Sequence, residues 1–181
     1  MLKLNPIFAG LTMMVLGGLA QASETSTVGA LEMIQVEEAQ LEFLTRIDTG
    51  AASTSIHAIN LRLESGDEII DQDGMSEAEL QDKVKPEMES HIGQKLVFST
   101  ENEKGVETEV KAVISDVIGV RNSQGKEYRY KVKLDLRWQD DHKEVAVNLR
   151  DRSKMEYKLL IGRDWLEGDY LVDVERNKDL D

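Results

Sequence analysis

Phe43-Leu44-Thr45-Arg46-Ile47-Asp48-Thr49-Gly50-Ala51 decides how the rest of the chain is read. An apolar, strand-like run ends in an acid, a hydroxyl residue, a glycine and a small residue. An acid so placed is held at a strand end with its carboxylate free. Gly50 lets the backbone turn tightly and brings its amide toward that carboxylate, and the Thr49 hydroxyl can lock the turn by hydrogen bonding. Ala52-Ser53-Thr54-Ser55 come next, all small. Asp-Thr-Gly alone is weak, because average residue usage produces it in on the order of a few per cent of chains this size. An aspartate in that position can also serve only to cap a strand-ending turn.

Working outward, residues 31–36 and 41–47 read as short strands. Residues 56–63 alternate, with Ile56, Ala58, Leu61 and Leu63 on one face and a break near Asn60. Strands resume after Gly93: residues 95–99 and 106–120 form a hairpin around 101–105. The clearest strand is 128–138. Tyr128, Tyr130, Val132, Leu134, Leu136 and Trp138 share one face, while Arg129, Lys131, Lys133, Asp135 and Arg137 share the other. That alternation predicts a sheet with one buried and one wet face. After a turn at 139–141, Val145, Val147 and Leu149 continue it. Then come a short apolar strand at 159–161, a helical turn at 162–166 and a last strand at 170–174. No internal repeat is visible. Many short strands predict an all-β domain, closed or folded over into a barrel.

Residues 64–93 differ in character. Between positions 64 and 89 there are ten acidic residues and two lysines. Ser76-Glu77-Ala78-Glu79 has capping-box spacing, and Pro86 is expected to end the helix that starts there. This is read as an acidic surface insertion with one short helix. Asp71-Gln72-Asp73-Gly74 lacks the ligand spacing of a calcium loop and reads as a solvated turn.

The chain has 181 residues, enough for one domain with a core, and 40% of them are hydrophobic. A net charge of -13 argues against binding nucleic acid or an anionic membrane. The absence of cysteine removes disulfides, thiol catalysis and thiolate metal sites. Residues 1–22 read as a signal peptide: Lys3, an apolar run from Ile7 to Ala20, and Ala20-Gln21-Ala22 as a cleavage site before Ser23. The expected organisation is a signal peptide at 1–22 and a flexible lead-in at 23–29. One domain then spans 30–176, with the insertion at 64–93, and a tail occupies 177–181. The expected location is the periplasm, with no stable membrane contact after cleavage.

A second element completes the pattern. Leu159-Leu160-Ile161-Gly162-Arg163-Asp164 is a short apolar strand ending in Gly and Arg. Together with Asp48-Thr49-Gly50-Ala51, it resembles the retropepsins, the dimeric aspartic peptidases. More narrowly, the chain is similar to the bacterial retropepsin-like family commonly labelled an ATP-dependent zinc protease. The residues that carry this are Arg46 to Ala51, Thr54-Ser55-Ile56-His57-Ala58, Arg150 to Tyr157, Leu160 to Arg163, and Leu171-Val172-Asp173-Val174. The resemblance implies a retropepsin-like closed barrel with one short C-terminal helix and Asp48 as the catalytic acid. Thr49 would bond across a two-fold axis, with Gly50 and Ala51 completing the loop. Ile161 and Gly162 would pack behind it, and Arg163 would make a structural ion pair with either Asp151 or Asp164. Zinc and ATP find no support here. His57, His91 and His142 are scattered rather than set as H-E-x-x-H, and there is no phosphate-binding G-x-x-x-x-G-K-[ST]. No cofactor or metal is expected.

The chemistry needs two facing carboxylates, and no second Asp-Thr-Gly or Asp-Ser-Gly occurs. The expectation is a homodimer that pairs two copies of Asp48 and cleaves a peptide or protein substrate. The hairpin tip 101–105 is the candidate flap. Arg129, Lys131, Lys133 and Arg137 offer a basic strand face for an acidic substrate. The rival reading is a non-catalytic binding or scaffold protein on the same fold.

Overall fold

The alternating stretch found in the sequence builds the centre of the molecule. The computed structural model describes residues 25–122 and 125–180. In it, β8 (Gly125–Trp138) buries Tyr128, Tyr130, Val132, Leu134, Leu136 and Trp138, none more than 5% exposed. Each such side chain contributes roughly 1.5–3 kcal/mol through removal from water. β8 pairs antiparallel with β7 (Glu107–Asn122) on one side and with β9 (Asp141–Arg150) on the other.

The remaining strands are β1 (Ser26–Val28), β2 (Leu31–Val36), β3 (Leu41–Ile47), β4 (Ser55–His57), β5 (Ile59–Leu63), β6 (Lys95–Glu101), β10 (Leu159–Ile161) and β11 (Tyr170–Val172). Nine of the strands form one sheet in the order β2-β3-β10-β4-β9-β8-β7-β6-β5. β2 also touches β8, through Gln35 opposite Arg137 and Val36 opposite Leu136, so the order turns back on itself. The expected all-β architecture is present, and the helices are short: α1 (Glu77–Glu79), α2 (Lys85–Ser90) and α3 (Arg163–Leu166).

Strand β10 sets up the site. It lies between β3, which it meets in parallel with Ile161 opposite Ile47, and β4, which it meets antiparallel. The end of β3 and the end of β10 are therefore side by side, and Asp48 and Gly162 leave the sheet together.

The signal peptide and its cleavage site lie outside the described residues. Other expectations are corrected. The lead-in is not wholly flexible: Ser26–Val28 forms β1, parallel to β11, because Val28 gains a fully buried place in the core. The alternating run 56–63 is two strands split at Ala58. β4 joins β9 and β10 while β5 turns to β6, with Asn60 in the left-handed region (φ 55). The last strand ends at Val172 rather than 174.

The insertion is more than a surface feature. Its capping box forms as expected: the Ser76 hydroxyl accepts from the Glu79 amide, and the Glu79 carboxylate accepts from the Ser76 amide. Pro86 does not stop the helix. It sits in the first turn of α2, where its missing N–H costs little. The turn before it, Leu80–Val84, widens to i→i+5 bonding. Leu80, Val84 and Met88 are buried in the core. The insertion also grips the β7–β8 hairpin. Gln72 donates to the Tyr128 carbonyl and accepts from its amide, both at 2.8 Å. The Tyr128 hydroxyl donates to Gln81 at 2.6 Å, and Arg121 pairs with Glu77 at 2.8 Å.

Candidate active site

Asp48 is the first residue beyond β3 and is half-buried, while Thr49 and Gly50 are exposed. The Asp48 amide donates to the Ile161 carbonyl at 2.9 Å, which fastens the loop to β10. The carboxylate oxygen Oδ1 accepts from the amides of Gly50 (2.9 Å) and Ala51 (3.2 Å). Oδ2 accepts nothing among the described residues. The side chain is thus oriented by backbone donors, with one oxygen left for chemistry. Gly50 earns its place: a Cβ there would stand 3.1 Å from Asp48 Oδ1.

Ile161, Gly162 and Arg163 are brought against this loop as expected. Ile161 is fully buried. A Cβ on Gly162 would lie 2.6 Å from the Ser53 carbonyl carbon, so only glycine fits the crossing. The Arg163 amide donates to the Ala51 carbonyl at 2.9 Å. The Arg163 ion pair is not found among the described residues. Its Nη1 donates instead to the carbonyls of Thr49 (3.0 Å) and Gly50 (3.1 Å). The guanidinium gathers the outward-facing carbonyls of a tight turn. Neither candidate carboxylate pairs with it. Asp151 is held by Ser153, whose hydroxyl and then amide donate to it and lower its carboxyl below the usual range.

Asp164 takes part instead in a network with Thr54 and Asn148 that the sequence reading missed. It accepts from the Thr54 amide (2.9 Å to Oδ1, 3.0 Å to Oδ2) and from the Thr54 hydroxyl (2.6 Å). The same hydroxyl accepts from the Gly162 amide at 3.1 Å. Thr54 is fully buried. Its carbonyl accepts from the Asn148 amide (2.9 Å) and from Asn148 Nδ2 (2.6 Å). Asn148 Oδ1 in turn accepts from Arg129 Nη1 at 3.1 Å. The available signal was Thr54 falling inside a run of small residues just after Asp-Thr-Gly, but nothing local pointed to its partners.

The basic face of β8 is also not uniform. Arg129 is 7% exposed although it alternates with the buried row, and its guanidinium is held by Asn148 and Glu127. Arg150 and Arg152 lie close by. Burial, then repulsion from Arg150 and Arg129, pushes Arg152 down to about 10, while the negative charge of Asp48 works the other way. Burial likewise lowers Arg129, against the support of Glu127, which bonds its Nε at 3.0 Å. His57 is buried beside this group; its Nδ1 accepts from the Arg152 amide at 3.0 Å, which fixes it as a structural hydrogen-bonding residue.

The candidate flap is in the wrong place. Asn102, 5% exposed, donates to the Glu42 carbonyl at 3.0 Å. Glu42 is the second residue of β3 and Asp48 follows its end, so the tip 101–105 sits roughly 20 Å from the carboxylate at the usual strand rise. Asn102 Oδ1 accepts from the Lys104 and Val106 amides, which folds this tip onto itself.

A crystal structure of a Legionella pneumophila subsp. pneumophila str. Philadelphia 1 protein of unknown function (DUF785) superposes with a TM-score of 0.58 at 22% identity. It covers 83% of this chain and 94% of that one, a likeness of fold. A protein of Parasynechococcus marenigrum (strain WH8102), named "Probable alpha-L-glutamate ligase", is 27% identical over 136 residues. That is 75% of this chain but 25% of the relative, so the chain spans a quarter of that protein's length. Residues 81–179 match the family described as RimB-like, retropepsin-like aspartic endopeptidase RimB; the match includes the Ile161-Gly162-Arg163 crossing and begins after the Asp48 loop. Since that match takes in more than half of the chain, and the strand crossing it contains is the one that seats Asp48, this protein belongs to the RimB-like family.

Proposed function

We propose that this protein is a periplasmic aspartic endopeptidase, active as a homodimer in which two copies of Asp48 face each other across a two-fold axis. The observation that carries the reading is the Asp48 carboxylate itself, oriented through Oδ1 by two backbone amides and left open at Oδ2. Two such carboxylates brought close cannot both ionise, so the pair holds one proton between them. The ionised member takes a proton from water, which attacks the peptide carbonyl, while the protonated member polarises that carbonyl. A single chain supplies one of the two acids, so the self-complementary contact of a dimer is required. The scaffold reads as a retropepsin-like barrel closed by the short β2–β8 contact.

The partial match to a protein named as a glutamate ligase makes glutamate-bearing peptides the first substrates to test. Arg152 supplies positive charge near Asp48, with Arg129 and Arg150 beside it, although the chain as a whole is acidic. The test compares the full chain with its Asp48→Asn form on glutamate-rich and neutral peptide libraries, from acid to neutral pH, with sedimentation run in parallel. Cleavage by a dimer that is lost in Asp48→Asn is the expected result. A strict monomer, or cleavage unaffected by the substitution, overturns the reading. The same partial match favours one rival, a binding module that serves another enzyme; such a module would keep its peptide affinity in Asp48→Asn and cleave nothing.

A further inference from the structure

We propose that Arg129 is a positioning residue for the Asp48 loop, acting through Asn148 and Thr54 to couple that loop to the β7–β8 hairpin. The inference rests on reading Asp48 as the catalytic acid. A guanidinium that is 7% exposed is costly to hold in a protein interior, and here it has no place in the apolar row of β8. Arg150 repels it, and Glu127, two residues earlier on the same strand, offsets that repulsion. Among the described residues the compensated guanidinium makes one bond away from its own hairpin, to Asn148 Oδ1.

Asn148, 3% exposed, passes that restraint on. Its side-chain and backbone N–H groups both donate to the Thr54 carbonyl, so both lone pairs of that oxygen are occupied. The amide and hydroxyl of Thr54 are held by Asp164. Every polar group of Thr54 is therefore engaged, from the hairpin side by Asn148 and from the α3 side by Asp164. The Asp48 loop has Thr54 as its downstream anchor and Ile161 as its upstream one. Moving residues 127–129 of the hairpin must move the downstream anchor or break this chain of buried hydrogen bonds. Buried networks of this kind have discrete arrangements rather than a continuous range.

The test is amide hydrogen exchange, read by mass spectrometry on the full chain, for the wild type, Arg129→Gln, Arg129→Lys and Glu127→Gln. In Arg129→Gln the amides of residues 50–54 should exchange about tenfold faster, while those of β2 and β3 stay within about twofold of wild type. Arg129→Lys keeps a cationic donor toward Asn148 and should restore most of the protection. Unchanged exchange at 50–54, or an equal rise across every strand, would overturn the proposal and leave Arg129 a packing residue. Should Arg129→Gln fail to fold, Glu127→Gln decides: about threefold faster exchange at 50–54 supports the coupling, and unchanged rates sink it. No turnover is read, so a protein that cleaves nothing fails the peptidase reading without touching this measurement.

Discussion

Asp164 and Glu77 both lie in the first turn of a short helix, but in different surroundings. Asp164 is the second residue of α3, half-buried, and takes both hydrogen-bond donors of a fully buried threonine across the Asp48 loop. Glu77 opens α1 in the insertion, lies in solvent, and meets Arg121 on the hairpin at 2.8 Å. Both carboxylates help to hold one segment against another. The difference is what water can do in their place. At Glu77 it replaces a lost partner at once, and such a pair contributes little. At the fully buried Thr54 that Asp164 holds, water has no entry, so losing that partner leaves a buried polar group unsatisfied.

The largest effect tests whether the loop holds chemistry as well as structure. Asp48→Asn should keep the fold, because its remaining oxygen still accepts from Gly50 and Ala51, yet lower peptide cleavage by at least ~100-fold. Thermal unfolding beside the cleavage assay separates the two. Thr54→Val then asks whether the Asp164 side of the comparison is as tightly coupled as it looks. It strips Asp164 and the Gly162 amide of a partner and should cost about 3 kcal/mol in urea unfolding. A loss near zero would place Asp164 with Glu77. Gly162→Ala should cost about 2 kcal/mol by overpacking against Ser53.

A smaller effect concerns pH. Burial holds His57 below its ordinary value of 6.5 and therefore neutral in the fold. Below that value the unfolded chain takes up the proton more readily, so stability falls as the solution is acidified from there. His57→Gln should flatten this part of the stability-versus-pH curve relative to wild type, and parallel curves would show that His57 does not contribute. The smallest effect closes the comparison: Glu77→Gln should leave the unfolding midpoint unchanged within error, and a clear loss would show that the insertion grips the hairpin through that pair.

Much of the scaffold was legible from local pattern. The alternation of 128–138 located the central strand to within a few residues, and Ser76 and Glu79 announced their cap. Asp48-Thr49-Gly50 and Ile161-Gly162-Arg163, expected to pack together, do lie side by side. The misses share a cause. The Arg163 partner, the burial of Arg129, the place of the 101–105 tip and the packing of Leu80, Val84 and Met88 all depend on which distant segment arrives alongside. Alternation says which side chains share a face, but it cannot say that a polar face will be covered. Arg129 and Lys133 read identically along β8 and end up at opposite extremes of exposure.

By itself, the amino-acid order determined a strand-rich domain and placed a lone acid at a strand end where its carboxylate stays free. It also showed that a second such acid is not encoded, since short-range pattern and residue type carry all of that information. Only the tertiary structure decided how that acid is held. The restraints on Asp48 run through Thr54, Asn148, Asp164 and Arg163, residues that meet because β10 slots between β3 and β4. Hydrogen bonds between groups so far apart along the chain have no local signature; they exist because folding brings them into a space that water has left.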